Sequence, residues 1–248
     1  MNGFEKHGIG HLSASSINLW TNAPDMWVAK YLHGHKGNFG PAPRRGQCVE
    51  TAVHMALTGT DTDTAIKRGL EQFDRTFMFG DQATTKERDV IEPMTRVALD
   101  ELLPLGAPAE GGDEQAKISI DAVFDEWAIP VIGFLDFTYP DQGLVVDLKT
   151  TNRIPSTMSP DHQLQRAIYS AAMGNAAVKF LYVSAKKAIW LEDGDPAEIL
   201  GRAKSQIARL ERFLSMHSAD DALACVPCNP NSFYWRGDED ARREMFGI

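Results

Sequence analysis

Two aspartates and a lysine, Asp136, Asp147 and Lys149, interrupt a stretch that is otherwise mostly apolar, VIGFLDFTYPDQGLVVDLKTT from Val131 to Thr151. Charge in such a run is costly to bury unless it is paired, hydrogen-bonded or bound to a metal. Pro140, Asp141, Gln142 and Gly143 form a four-residue turn signal, so the stretch reads as a hairpin. Pairing Tyr139 with Leu144 then sets Asp136 opposite Asp147 and Phe134 opposite Lys149. Because side chains alternate between faces, Leu135, Phe137, Tyr139, Leu144, Val146 and Leu148 share an apolar core face, and Asp136, Thr138, Asp147 and Lys149 share the other. Like charges directly opposed on a sheet are destabilising, and a divalent cation between the carboxylates would neutralise them. The plain alternative is a salt-bridged set on an exposed face, which is disfavoured where helices cover both faces.

Other polar residues recur at spacings that put them on shared helix faces. Arg45-Gly46-x-x-x-Glu50 opens a helix on which Glu50 and His54 lie one turn apart, and Gln165 and Tyr169 are likewise one turn apart. Each has an ordinary reading as a polar helix flank beside the core. Arg44 and Arg45, at a helix start, are either solvated or in contact with phosphate; the helix dipole does not favour cations there.

Taken in order, Arg45-Gly46-x-x-x-Glu50, Gly133-x-x-Asp136, Asp147-x-Lys149 and Gln165-x-x-x-Tyr169 resemble the motifs of the PD-(D/E)XK nuclease superfamily, and within it the RecB-like branch and its bacteriophage-type exonucleases. The resemblance covers most of the chain from SASSINLW onward. It implies an α/β fold with a restriction-endonuclease-like core, a mixed central sheet of αβββαβ order flanked by additional helices. It also implies a metal-dependent DNA exonuclease of phage-type or bacterial recombination and repair; an endonuclease or CRISPR-adaptation-type nuclease would share the active site. Mg²⁺ or Mn²⁺, one or two ions, would be held by Asp136, Asp147 and the backbone carbonyl of Leu148, with Glu50 or His54 as a further ligand. Many relatives carry histidine where this chain has Glu50. Lys149 would orient and help deprotonate the attacking water or stabilise charge developing on the phosphate. Gln165 and Tyr169 would complete the catalytic set and, with Arg44, Arg45, Thr150 and His162, touch DNA. A single-strand annealing protein is the partner such nucleases often have. A catalytically silent DNA-binding or scaffold subunit is the competing reading of another class.

Some RecB-like nucleases hold an iron-sulfur cluster on four cysteines. Here Ala23 precedes Pro24 where those relatives have Cys-Pro, and Cys225-Val-Pro-Cys228 is joined only by Cys48, so no cluster is expected.

The elements that must position these residues follow from periodicity. Helices are expected at Ser13 to His33, broken near Pro24, at Arg45 to Thr58, Thr62 to Phe77, Thr84 to Leu103, Pro160 to Met173, and from Asp195 to about His217. Strands are expected at 116–124, 128–139 and 143–151, with a later hairpin made by VKFLYVSA and KAIWLE. The last residues, 218–248, read as an irregular tail, and the whole 1–248 as a single nuclease domain with a helical part at about 13–103 and a sheet-bearing core at about 115–217. The formal net charge of -9 over 248 residues argues against non-specific coating of nucleic acid but not against a local site. Three cysteines, no apolar run of about 18 residues and an N-terminus without a signal peptide's apolar stretch point to a cytoplasmic protein.

Overall fold

The computed structural model describes residues 2–37, 40–77, 81–109, 116–119 and 127–247. Three helices open the chain, α1 (Gly3–Lys6), α2 (Ala14–Asn22) and α3 (Pro24–Leu32), followed by α4 (Pro41–Leu57), α5 (Thr62–Thr76), α6 (Gln82–Asp89) and α7 (Ile91–Leu102). Four strands come next: β1 (Ala116–Ser119), β2 (Ile132–Leu135), β3 (Phe137–Tyr139) and β4 (Leu144–Thr150). The chain then runs through α8 (Pro160–Ala172), β5 (Ala177–Val183), β6 (Ala188–Leu191), α9 (Pro196–Met216), α10 (Ala219–Cys225) and α11 (Glu239–Phe246). The end of the strand expected at 116–124 lies outside the described residues.

Helix starts follow local chemistry. The Ser13 hydroxyl accepts from the Ser16 N–H while the Ser16 side chain accepts from the Ser13 N–H, a reciprocal cap for α2. Ser159 caps α8 and Asp195 caps α9, each followed by a proline in the first turn, where a missing N–H costs nothing. The same property lets α4 begin at Pro41 instead of Arg45. The single helix expected over 84–103 is two, parting at Val90. Pro93 explains the break: it has no N–H for the carbonyl of Asp89 and its ring would crowd that carbonyl, so it is tolerated only in the first turn of a new helix.

The result is an α/β fold with a small mixed sheet between layers of helices. Its strand order is β3-β4-β5-β6: β3 runs antiparallel to β4, β4 parallel to β5 across α8, and β5 antiparallel to β6. β1 and β2 form a separate antiparallel pair. One face of the sheet sends Val145, Val178, Phe180 and Tyr182 into a core shared with α2, α3, α8 and α9. The other sends Phe137, Tyr139, Val146, Leu148, Leu181 and Val183 into a core shared with α4, α5 and α7. No described helix is long and apolar enough to cross a membrane.

Tyr139 does pair with Leu144, and Gly143 closes the turn with φ 59°. The long strand expected over 128–139 is interrupted, however, at Asp136. Beyond that break Leu135 leaves the face it was expected to share with Phe137 and packs into the opposite core, and Phe134 pairs with Lys117 of β1 instead of standing opposite Lys149. Asp136 makes the break with its own side chain: the β3–β4 ladder ends at Phe137 and Val146, and the Asp136 carboxylate accepts the N–H of Leu148 at 2.8 Å just beyond it.

The tail expected to be irregular contains α10, a 3-10 turn at Phe233–Trp235 and α11. It is fastened by Asp25 of α3, whose buried carboxylate accepts from the Asn229 N–H at 3.1 Å and the Trp235 indole N–H at 2.9 Å. Burial, then the Cys228 thiol's hydrogen bond to Asp25, pushes that thiol up to about 11.

Candidate active site

Asp147 stands in the middle of β4, the central strand between β3 and β5, on the face covered by α8. Its side chain is fully buried (0% exposed). One carboxylate oxygen, Oδ2, accepts from the Gln165 amide at 2.9 Å, and the other, Oδ1, is in an ion pair with the ammonium of Lys149. The same Gln165 amide donates to the Tyr169 hydroxyl at 2.9 Å, so one turn of α8 supplies the group that holds the carboxylate and the hydroxyl that backs it. Lys149 also lies 5.2 Å over the ring of Phe180.

Asp136 faces this group from the strand break. Burial, then the negative charges of Asp147 and Glu50, hold its pKa well above the ordinary carboxylate value; Lys149 and the Leu148 N–H oppose this without overcoming it. Asp147 is likewise raised, by burial against the pull of Lys149. Burial pulls the Lys149 ammonium down, but the two aspartates outweigh it and the net shift is upward. These shifts describe crowded negative charge with one cation among it.

The residues meet in a cleft of about 650 Å³ whose walls include Glu50 of α4, Gly133 and Phe134 of β2, Asp136, Leu148, Lys149, His162, Gln165 and Tyr169. Lys149 is the one lysine or arginine among the described residues that line it. Gly133 has a steric role: a Cβ there would come to 2.5 Å from the Tyr169 ring, so glycine at this position lets Tyr169 pack against β2. Gly46 is the counterpart on α4, where a Cβ would press to 3.2 Å on the Thr150 hydroxyl. Asn18 and Asn22 of α2 donate to the carbonyl and carboxylate of Asp161, tying α2 to the start of α8. His162 shares a 2.6 Å hydrogen bond with the Tyr182 hydroxyl, and burial followed by the charge of Lys149 lowers it to about 4, leaving it neutral at neutral pH.

Other candidate residues lie elsewhere. His54 does not line the cleft; its ring stacks over Phe137 with centroids 6.4 Å apart. Arg45 is buried, not solvated (4% exposed): its guanidinium pairs with Glu87 and donates to Asn152 at 3.3 Å, to the Thr150 carbonyl at 3.2 Å and to the Thr150 hydroxyl at 3.3 Å. Arg45 and Thr150 therefore clamp α4 and α6 onto the end of β4. Arg44 donates to Gln47 at 3.0 Å and to the carbonyl of Gln72 at 3.3 Å. Residues that motif reasoning missed include Phe134, exposed at 45% on the cleft wall, and Tyr234, which reaches the cleft from the tail. The signal for Tyr234 was available as three consecutive aromatics, Phe233 to Trp235, in an otherwise polar segment.

The donors suit a hard divalent cation: two carboxylates facing each other, a main-chain carbonyl at Leu148 and a third carboxylate, Glu50, on the same cleft. Among the described residues no group of three or more His, Cys, Asp and Glu side chains is gathered as a ready-made metal site. That is compatible with Mg²⁺, which commonly takes one or two protein carboxylates and leaves its other positions to water and substrate phosphate. No protein-family model matches the chain, and no curated protein matches it.

Proposed function

We propose that this protein is a Mg²⁺- or Mn²⁺-dependent deoxyribonuclease, an exonuclease of the PD-(D/E)XK superfamily with a restriction-endonuclease-like core. The observation that carries the reading is that Asp136 and Glu50 line one cleft with Lys149 as its one lysine or arginine among the described lining residues, while buried Asp147 stands behind Lys149 and bears on Asp136. Crowded carboxylates of this kind are relieved either by keeping a proton or by binding a cation, and a cation would give the cleft a use. A divalent ion held by Asp136, Asp147 and the Leu148 carbonyl would supply positive charge to a phosphodiester and a more acidic water. Lys149, held by Asp147 on the cleft wall, would donate to charge developing on the phosphate. Gln165 holds Asp147 in place and is itself backed by Tyr169. The motif order seen in the sequence supports the same reading, and with it a setting in phage-type or bacterial recombination and a single-strand annealing partner.

The test is cleavage of an end-labelled linear duplex and of its covalently closed circular form, with Mg²⁺ or Mn²⁺, by wild type, Asp147→Ala and Lys149→Ala. Loss of the linear form alone, abolished by both substitutions, is expected. Cutting of the circle would replace exonuclease by endonuclease, and absence of cutting with DNA still bound would favour the silent subunit.

A further inference from the structure

Beside the cleft lies a second recess of about 530 Å³, and the two share Ser15 and Tyr234 on their walls. Its volume falls in the range of about 300–1,000 Å³ usual for ligand sites. Three cations line it, Lys30, Lys36 and Arg236, and none has a carboxylate within ion-pair distance among the described residues. Against them stand two acids: Glu87, which pairs with Arg45, and Asp238, which lies 3.5 Å from a ring nitrogen of His35. The recess is therefore locally cationic on a chain of net charge -9. Phe233 stands on its wall with 70% of its surface exposed, and the Arg236 guanidinium lies 5.3 Å over its ring. The Asp25 to Trp235 hydrogen bond fixes the turn that presents it.

We propose that this recess is a track that feeds single-stranded polynucleotide into the acidic cleft, Phe233 and Tyr234 stacking on bases while Lys30, Lys36 and Arg236 meet the phosphates. The inference rests on the nuclease reading and adds to it the form of substrate the site takes. Stacking on aromatic faces next to a line of cations is how sequence-tolerant single-strand binding is achieved. A duplex keeps its bases paired and stacked on one another and gains little from Phe233.

The test is fluorescence anisotropy of a labelled deoxythymidine oligonucleotide and of a labelled hairpin duplex, in Ca²⁺, with label length checked for cutting afterwards. Wild type is compared with Phe233→Ala and Lys36→Ala/Arg236→Ala; residue 233 is exposed enough for truncation to leave the fold intact. Phe233→Ala is expected to weaken single-strand binding roughly tenfold and duplex binding much less. The charge variant is expected to flatten the dependence of log affinity on log salt by roughly 1.4, since each phosphate that the protein ceases to neutralise is worth about 0.7. Wild-type affinity for the single strand in both variants, or no single-strand binding by wild type, overturns the track. Cutting in Mn²⁺ by wild type against Asp147→Ala is read separately. The track can thus fail while cutting survives, and binding that depends on Phe233 without any cutting would keep the track and remove the nuclease reading.

Discussion

The same two elements, α4 and β4, carry two buried charged clusters only a few residues apart, and the clusters are built on opposite principles. At Arg45 one cation meets one anion, Glu87, and the remaining contacts are neutral acceptors from Thr150 and Asn152. Charge is balanced there, and the cluster holds α4 and α6 to the end of the sheet. At Asp147 carboxylates crowd one another: Asp147 pairs with Lys149, the charges of Asp147 and Glu50 bear on Asp136, and Asp136, Glu50 and Lys149 line one cleft. A buried cluster that is neutral by itself is an anchor; one in which carboxylates crowd each other is relieved by a retained proton or by a ligand of opposite sign.

That contrast can be broken most severely by removing a member of the acidic cleft. Asp147→Ala and Lys149→Ala should each lower the rate of DNA cleavage by about 10³-fold or more in Mg²⁺, measured under single-turnover conditions. At the balanced cluster the same kind of change should act on stability. Arg45→Met strands Glu87 and is expected to cost about 3 kcal/mol in urea denaturation, with most of it regained by Arg45→Met/Glu87→Leu. Gly133→Ala forces the Tyr169 ring aside and should cost about 1–3 kcal/mol while weakening activity through Gln165.

The smallest expected effect gives the sign of the difference. The pKa of Asp136 is raised well above its ordinary 3.8, so over a window above that value the folded protein keeps a proton the unfolded chain has lost. Without metal, stability therefore falls as pH rises through the window. Asp136→Asn, whose amide oxygen can still accept the Leu148 N–H, should raise the midpoint of thermal melting at neutral pH in EDTA and reduce this slope. Removing charge stabilises at the cleft and destabilises at Arg45.

Much of this was legible in the sequence where the determinants are local. The Pro140 to Gly143 turn fixes the register of Tyr139 with Leu144, and the inner face of α9 follows from the spacing of Ile199, Ala203, Ile207, Leu210 and Leu214. The Gln165-x-x-x-Tyr169 spacing put both side chains on the face of α8 toward β4, with Gln165 on Asp147 and Tyr169 behind Gln165, because one helical turn aligns them. The break at Asp136 was not legible, since it depends on a side chain taking a backbone N–H from another strand. Arg45 looked solvated because its partner Glu87 is 42 residues away in the chain. The tail looked irregular because its order comes from long-range bonds, among them Asp25 to Trp235 and Arg242 to the Pro230 carbonyl, and not from an apolar periodicity. Pro93, by contrast, was a readable signal for the division between α6 and α7.

The measurement that bears most directly on the unbalanced cleft is the thermal midpoint of wild type and Asp136→Asn as Mn²⁺ is titrated into metal-free protein. A saturable rise for wild type, lost or much reduced for Asp136→Asn, is predicted, because a ligand that binds only the folded state stabilises it in proportion to its occupancy. An equal response of the two proteins, or none from wild type up to millimolar Mn²⁺, would contradict the claim that the acidic pair exists to hold a cation.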